Sequence, residues 1–409
     1  MTPQKLPYVL DRRAWLRWTG VACLTHPLIA GCGRQTAETL EPAGTSDFLM
    51  RFPEKVALRV LNDRPPCLET PWSYFGEDLT PNEAFYVRWH LQGIPTSVDL
   101  RTWRLKIGGH VEKPLELSMT DLRRMEAVSV AAVNQCSGNS RSLAVPHVPG
   151  AQWRNGAMGN ARWTGVPLRA LLRRAGLKAK AVQATFNGLD EAPLPSVPDF
   201  VKALDIEHAL QAEAEVLVAY EMNGAPLPLL NGFPVRLVVP GWYATYWIKA
   251  LSEIVVLPHR FDGYWMAKAY RIPVTAGANE TPGKLATKTE PIGRMNVRSF
   301  FVRPAAEERL PAGRPCELNG VAFNGGTGIK KVQFSTDGGA TWMDARLGDD
   351  LGRYSFRRWR GEWTPPAAGE YRLQVRAAGN DGETQTATAN WNRGGYMRNV
   401  IEEVKVTAG

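Results

Sequence analysis

From about residue 51 to 297, short apolar runs recur at irregular intervals and the polar positions between them follow no single period. Val128-Ser129-Val130-Ala131-Ala132-Val133 is almost continuously apolar, as a strand buried on both faces should be. Phe85–His90, Trp103–Ile107 and Val235–Val239 are rich in aromatic and β-branched residues and predict further strands. Leu168-Arg169-Ala170-Leu171-Leu172-Arg173-Arg174-Ala175-Gly176 instead spaces its apolar residues at the helical period and stops at glycine. Asp205 to Leu210 is a second helical candidate. The punctuation by proline and glycine predicts an α+β domain with long loops.

Near residue 298 the pattern changes. Val332–Thr336 runs into Asp337-Gly338-Gly339, then Thr341-Trp342, and Tyr371–Ala377 is followed by Asn380-Asp381-Gly382. Short alternating strands joined by Asp-Gly turns predict an immunoglobulin-like antiparallel β-sandwich over 298–409.

The first 32 residues read as a targeting segment. Asp11-Arg12-Arg13-Ala14-Trp15-Leu16-Arg17 is a twin-arginine pattern, followed by an apolar stretch from Trp18 to Ala30 that His26 and Pro27 interrupt. It is too short and broken for a membrane-spanning helix. A twin-arginine signal is an address read by a receptor. It predicts export of the folded chain to the periplasm, with a cofactor already inside. Ile29-Ala30-Gly31-Cys32 also resembles a lipoprotein cleavage box, which makes Cys32 a candidate lipid anchor; the alternative is ordinary cleavage and a soluble product. Residues 33–50, small and polar, read as a tether.

The chain has 409 residues, room for two or three cores, and a net charge of +9. Lys5, Arg12, Arg13 and Arg17 against Asp11 place +3 of this in the leader. The remainder is mildly basic and suits an anionic substrate or an acidic partner. No basic run or aromatic-basic stripe points to nucleic acid. Of five cysteines, Cys23 and Cys32 fall in the leader. Cys67, Cys136 and Cys316 remain, an odd number, so at least one thiol stays unpaired within the chain; a Cys67–Cys316 disulfide is one option. The sequence contains no C-x-x-C-H haem attachment and no paired C-x-x-C set for zinc or iron–sulfur.

Cys136 is the candidate. It ends the apolar run within Asn134-Gln135-Cys136-Ser137-Gly138-Asn139-Ser140-Arg141. Small neighbours leave room for a bulky partner, and a cation five residues on favours the thiolate, the form that binds a metal. Four patches then agree in order: Phe85–His90 before this loop, Gly159–Leu168 after it, Asn231-Gly232-Phe233-Pro234-Val235-Arg236, and Trp247-Ile248-Lys249. Together they resemble the sulfite oxidase family of molybdenum enzymes over the whole body of the chain. The likeness is greatest to bacterial periplasmic sulfite dehydrogenases that pass electrons to a c-type cytochrome.

The resemblance implies a molybdopterin domain over 51–297 and a dimerisation or partner domain over 298–409. It implies Cys136 as the one protein thiolate on molybdenum, beside a pterin dithiolene. Arg88 and Arg141 would bind sulfite and sulfate, with His90 by the pterin. Tyr270 would be the active-site tyrosine, with Tyr264 and Tyr246 as rivals, and Trp153 would line the pocket. Asn231, where the family carries histidine, would join Arg236 and Lys249 around the cofactor phosphate. The implied activity is oxidation of sulfite to sulfate, with electrons leaving singly to a c-type cytochrome. Two alternatives stand beside it: the molybdenum subunit of a thiosulfate-oxidising sulfur dehydrogenase, and a non-catalytic periplasmic binding or assembly protein of the same fold. Both a homodimer and a heterodimer with a cytochrome subunit are compatible with the resemblance.

Overall fold

The computed structural model describes residues 49–50 and 54–409. The predicted leader, with Cys23 and Cys32, and all but the last two residues of the predicted tether lie outside the described residues. Leu49–Met50 pair antiparallel with Leu58–Arg59.

Three larger sheets and a two-stranded one, Arg271–Pro273 with Thr289–Pro291, build the larger, N-terminal part. One orders Leu49–Met50, Leu58–Asp63, Pro66–Glu69 and Val87–Arg88. A second orders Lys202–Asp205, Gln183–Gly188, Leu251–Leu257, Leu105–Gly109 and Leu115–Leu117, with one parallel pair, Leu251–Leu257 on Leu105–Gly109. The third runs Ala225–Pro226, Leu217–Met222, Met158–Pro167, Val128–Gln135, and Arg236–Val238 also pairs with Leu217–Met222. The C-terminal part is a sandwich of a four-stranded sheet, which includes Arg298–Arg303 and Cys316–Phe323, and a five-stranded one, which includes Ile329–Ser335, Gly369–Gly379 and Glu402–Ala408.

Helices are few and short. Leu168–Ala175 buries Leu168, Leu171, Leu172 and Ala175, one face at i, i+3, i+4, i+7. Gly176, at φ 69°, ends it by donating its N–H to the Leu172 and Arg173 carbonyls. Asp205 precedes the predicted second helix, Ile206–Leu210. A main core and a smaller cluster around Leu68 and Trp89 fill the larger part; another core, around Trp359 stacked on Phe334 and edge-on to Phe301, fills the sandwich.

Two expectations are corrected. Cys67 and Cys316 form no disulfide: both are buried free thiols, Cys67 in the larger core and Cys316 in the sandwich core. The predicted strand over 85–90 shrinks to Val87–Arg88, since Phe85 still caps a short turn and His90 already lies in a bend.

Candidate active site

The strand Val128–Gln135 carries Cys136 to the floor of a cavity. It is buried throughout from Val130 onward and lies antiparallel to Met158–Pro167. Beyond it the chain turns tightly. Cys136 N–H donates to the Ala157 carbonyl at 2.9 Å, Asn139 N–H to the Cys136 carbonyl at 3.0 Å, and Arg141 N–H to the Gly138 carbonyl at 3.0 Å. Ser140 takes a left-handed φ of 72° to close the turn. A Cβ at Gly138 would lie 2.3 Å from an Arg141 nitrogen, so the missing side chain lets the guanidinium fold onto the cysteine loop.

The cavity holds about 420 Å³ of empty space, part of it open to solvent. Its walls bring together Cys136, Arg88, His90, Asn231, Arg236, Lys249 and Tyr270, residues from five separate stretches of sequence. The wall residues include no aspartate or glutamate. Four wall residues also carry buried polar atoms without a partner among the described residues: Asn134 Nδ2, Ser137 Oγ, Thr245 Oγ1 and Arg236 Nε. Buried donors are nearly always satisfied. Four orphans converging on one basic cavity describe a receptacle for a polar, anionic group.

Arg236 packs against the edge-on pair Trp163 and Trp247, its guanidinium 5.0 and 5.8 Å from their centroids. It donates to the carbonyls of Asn231 at 3.0 Å and Trp247 at 3.1 Å. Burial lowers its pKa to about 10, which leaves it cationic at neutral pH. Lys249 stands over Trp89, 4.6 Å from the ring centroid; burial, then Arg236, bring its pKa down to about 7.

His90 stacks on Phe200 at 3.7 Å and shares a hydrogen bond between Nε2 and the Tyr270 hydroxyl. Burial, then Arg88, Lys249 and Lys202, hold its pKa well below the usual imidazole range, so the ring is neutral. Burial raises the Tyr270 phenol, which therefore stays protonated. Tyr270 adopts φ 55°, an unfavourable conformation for a bulky residue and a mark of functional sites. Of the rival tyrosines, Tyr246 donates its hydroxyl to the Ile292 carbonyl and Tyr264 is exposed; neither lines the cavity.

Arg141 is placed differently from Arg88. Its guanidinium donates to the carbonyls of Gly394 and Ala151, both at 3.0 Å, and lies 5.5 Å from the Tyr396 ring, which stacks on Tyr270. It stands behind the cavity wall, against the cysteine loop. Trp153 is fully buried edge-on to Tyr86 and also lies off the wall.

Sequence reasoning missed several residues. Asn134 and Ser137 flank Cys136, and their polarity inside a buried segment was the available signal. Tyr86 lies inside the Phe85–His90 patch, whereas Thr245, Lys202 and Tyr396 carry no local signal and reach the site only through the fold.

The comparisons with known proteins agree with this geometry. Residues 90–265 match the oxidoreductase molybdopterin binding domain, and residues 289–409 match the Mo-co oxidoreductase dimerisation domain. The chain is 33% identical over 386 residues to human mitochondrial sulfite oxidase, covering 91% of this chain and 68% of that one. It is 34% identical over 318 residues to sulfite oxidase of Gallus gallus, covering 76% and 68%. It is 28% identical to the NADH nitrate reductase 1 of Oryza sativa subsp. japonica, covering 89% of this chain and 42% of that one. Among solved structures, the sulfane dehydrogenase SoxCD from Paracoccus pantotrophus shares the fold, with a TM-score of 0.72, 23% identity and coverage of 90% and 92%.

The cavity fits the molybdenum–pterin group these matches imply. Cys136 offers one soft thiolate; among the described residues no three His, Cys, Asp or Glu side chains gather into a metal site of their own. The orphaned donors, Arg236 and Lys249 suit the hydrogen-bonding and anionic parts of the pterin. A single thiolate over a basic cavity, carried by an α+β domain with a β-sandwich behind it, places this chain in the sulfite oxidase family of molybdopterin oxidoreductases.

Proposed function

We propose that this chain oxidises sulfite to sulfate in the periplasm and hands the electrons one at a time to a c-type cytochrome. One observation carries the reading: Cys136 opens onto a cavity whose charged walls are all basic. Sulfite and sulfate are oxyanions, and a guanidinium gives them paired, charge-assisted hydrogen bonds. Similarity to sulfite oxidases supports the substrate. The Arg12-Arg13 pattern supports export, and export in turn supports a cytochrome acceptor, the usual single-electron carrier of that compartment. The match of residues 289–409 to a dimerisation domain supports a dimer through the sandwich.

The bound molybdenum group supplies oxygen-atom transfer and holds the two electrons that the oxidation releases. The protein's part is placement and charge. Arg88 draws the oxyanion in and orients it. Neutral His90 fixes the Tyr270 hydroxyl, and that protonated phenol is a hydrogen-bond donor beside Arg88. Arg141, behind Tyr396, adds positive potential without itself lining the wall.

The test is the full chain recovered from the periplasmic fraction and loaded with molybdenum, assayed for cytochrome c reduction with sulfite, with thiosulfate and nitrate turnover in parallel. Sulfite-dependent reduction is expected, and Cys136→Ser should abolish it together with the thiolate–molybdenum signal. Full molybdenum content without sulfite turnover overturns the reading.

A further inference from the structure

Lys55 lies directly behind the cavity wall. Its side chain is buried, and its ammonium donates to the Asn82 carbonyl at 2.6 Å and to Oδ1 of Asn231. Asn231 lines the cavity and is itself buried. The same amide donates from Nδ2 to the Tyr86 carbonyl at 3.1 Å.

These two contacts determine the amide's orientation. An ammonium has only donors to offer and a carbonyl only acceptors, so Oδ1 must face Lys55 and Nδ2 must face Tyr86. A primary amide has two N–H bonds. Tyr86 takes one of them, and the other meets no protein acceptor among the described residues.

The neighbouring contacts hold the whole turn. Glu54 accepts the N–H groups of Leu229 and Leu230 at 2.9 and 2.8 Å, which pins the short turn Leu229–Asn231 to the segment that carries Lys55. Arg236 donates to the Asn231 carbonyl from the other side. A buried ammonium costs free energy unless it is partnered. Here its hydrogen bonds go to two neutral groups, and only the charges of Glu54 and Glu83 offset the burial. An anion in the cavity would add the compensation that the protein supplies only in part.

We propose that Lys55 is a positioning residue for the anionic part of the molybdenum–pterin group: through Asn231 it turns an amide N–H toward the cavity and sets a buried positive charge behind it. The proposal rests on the cofactor assignment and not on which substrate is oxidised.

The experiment reads cofactor retention, so its outcome is independent of turnover. Lys55→Met, Lys55→Gln and Lys55→Arg are made in the full chain. Molybdenum and pterin per chain, the rate of pterin loss on prolonged dialysis, and the melting temperature of the apoprotein are then measured. Loss of an orienting partner behind a metal group typically costs about 10- to 100-fold in affinity. Lys55→Met is therefore expected to lose pterin faster by about that factor, with Lys55→Arg restoring part of the retention. If Lys55→Met does not fold, Lys55→Gln carries the test, because it keeps a donor for Asn231 and removes the charge. Wild-type retention in the neutral variant that folds overturns the proposal. So does a lower apoprotein melting temperature with an unchanged rate of pterin loss, which would make Lys55 purely structural.

Discussion

Three lysines give the site its character at the residue scale. Lys55, Lys202 and Lys249 each have a pKa brought down to about 7, in every case chiefly by burial; Arg271 adds to the effect at Lys202 and Arg236 at Lys249. Their unfolded value is near 10.5. Between these limits the unfolded chain holds more protons than the folded one, so folding stability from these groups rises with pH. The contribution is fully present above about 10.5 and is lost as pH falls through about 7. Melting temperatures of the apoprotein should therefore climb from pH 7 to pH 9.5, and a flat or falling profile would show that these ammonium groups are not desolvated. A bound anion favours the charged lysines, so the loaded protein should show a weaker climb in the same titration.

Among the elements, the strand Val128–Gln135 and its loop were the most legible. A continuous apolar run reads as a doubly buried strand, and the abrupt switch to small polar residues after it reads as a site. The helix Leu168–Ala175 was legible for the same local reason, since its period and its glycine stop are written in consecutive residues. Phe85–His90 read too long as a strand because aromatic content signals burial as strongly as it signals pleating. Here Phe85 and Tyr86 are core residues in a loop. The cysteine loop also permits a specific test. Gly138→Ala pushes a methyl group into the Arg141 guanidinium, a flexible end that can move away, so the fold and the molybdenum content should survive. Arg141 acts on the oxyanion through its charge and not by direct contact, so shifting its guanidinium should raise KM for sulfite by a factor of about two to five, roughly 0.4–1 kcal/mol. An unchanged KM would make Arg141 a structural cation of the loop.

At the scale of the whole molecule, the sandwich braces the active site. Arg298, on its first strand and 1% exposed, donates to Glu402 at 2.7 Å and reaches Ser140 Oγ at 3.1 Å and Asn155 Oδ1 at 3.3 Å, both beside the cysteine loop. Arg398 shares Glu402 at 3.0 Å. Removing one partner of a buried ion pair strands the other charge, at a cost of about 3–5 kcal/mol. Glu402→Ala should destabilise the protein by that order in denaturant unfolding, and Arg298→Met with Glu402→Leu should recover most of the loss. Equal losses in the single and double variants would deny the pair its bracing role.

The candidate chemistry is legible along the chain: a thiol at the end of a buried strand, the cations Arg88, Arg236 and Lys249, a family pattern in order, and a change of texture where the sandwich begins. Each is a property of neighbouring residues, so it survives without the fold. The folded chain alone sets which cations face the cavity and which stand behind it, that Tyr270 rather than Tyr246 or Tyr264 meets His90, that Tyr396 and Arg298 arrive from the far end of the chain, and that Cys67 and Cys316 stay apart. Those outcomes depend on how several sheets and their cores close together. That is set by burial summed over distant segments, and no local pattern reports it.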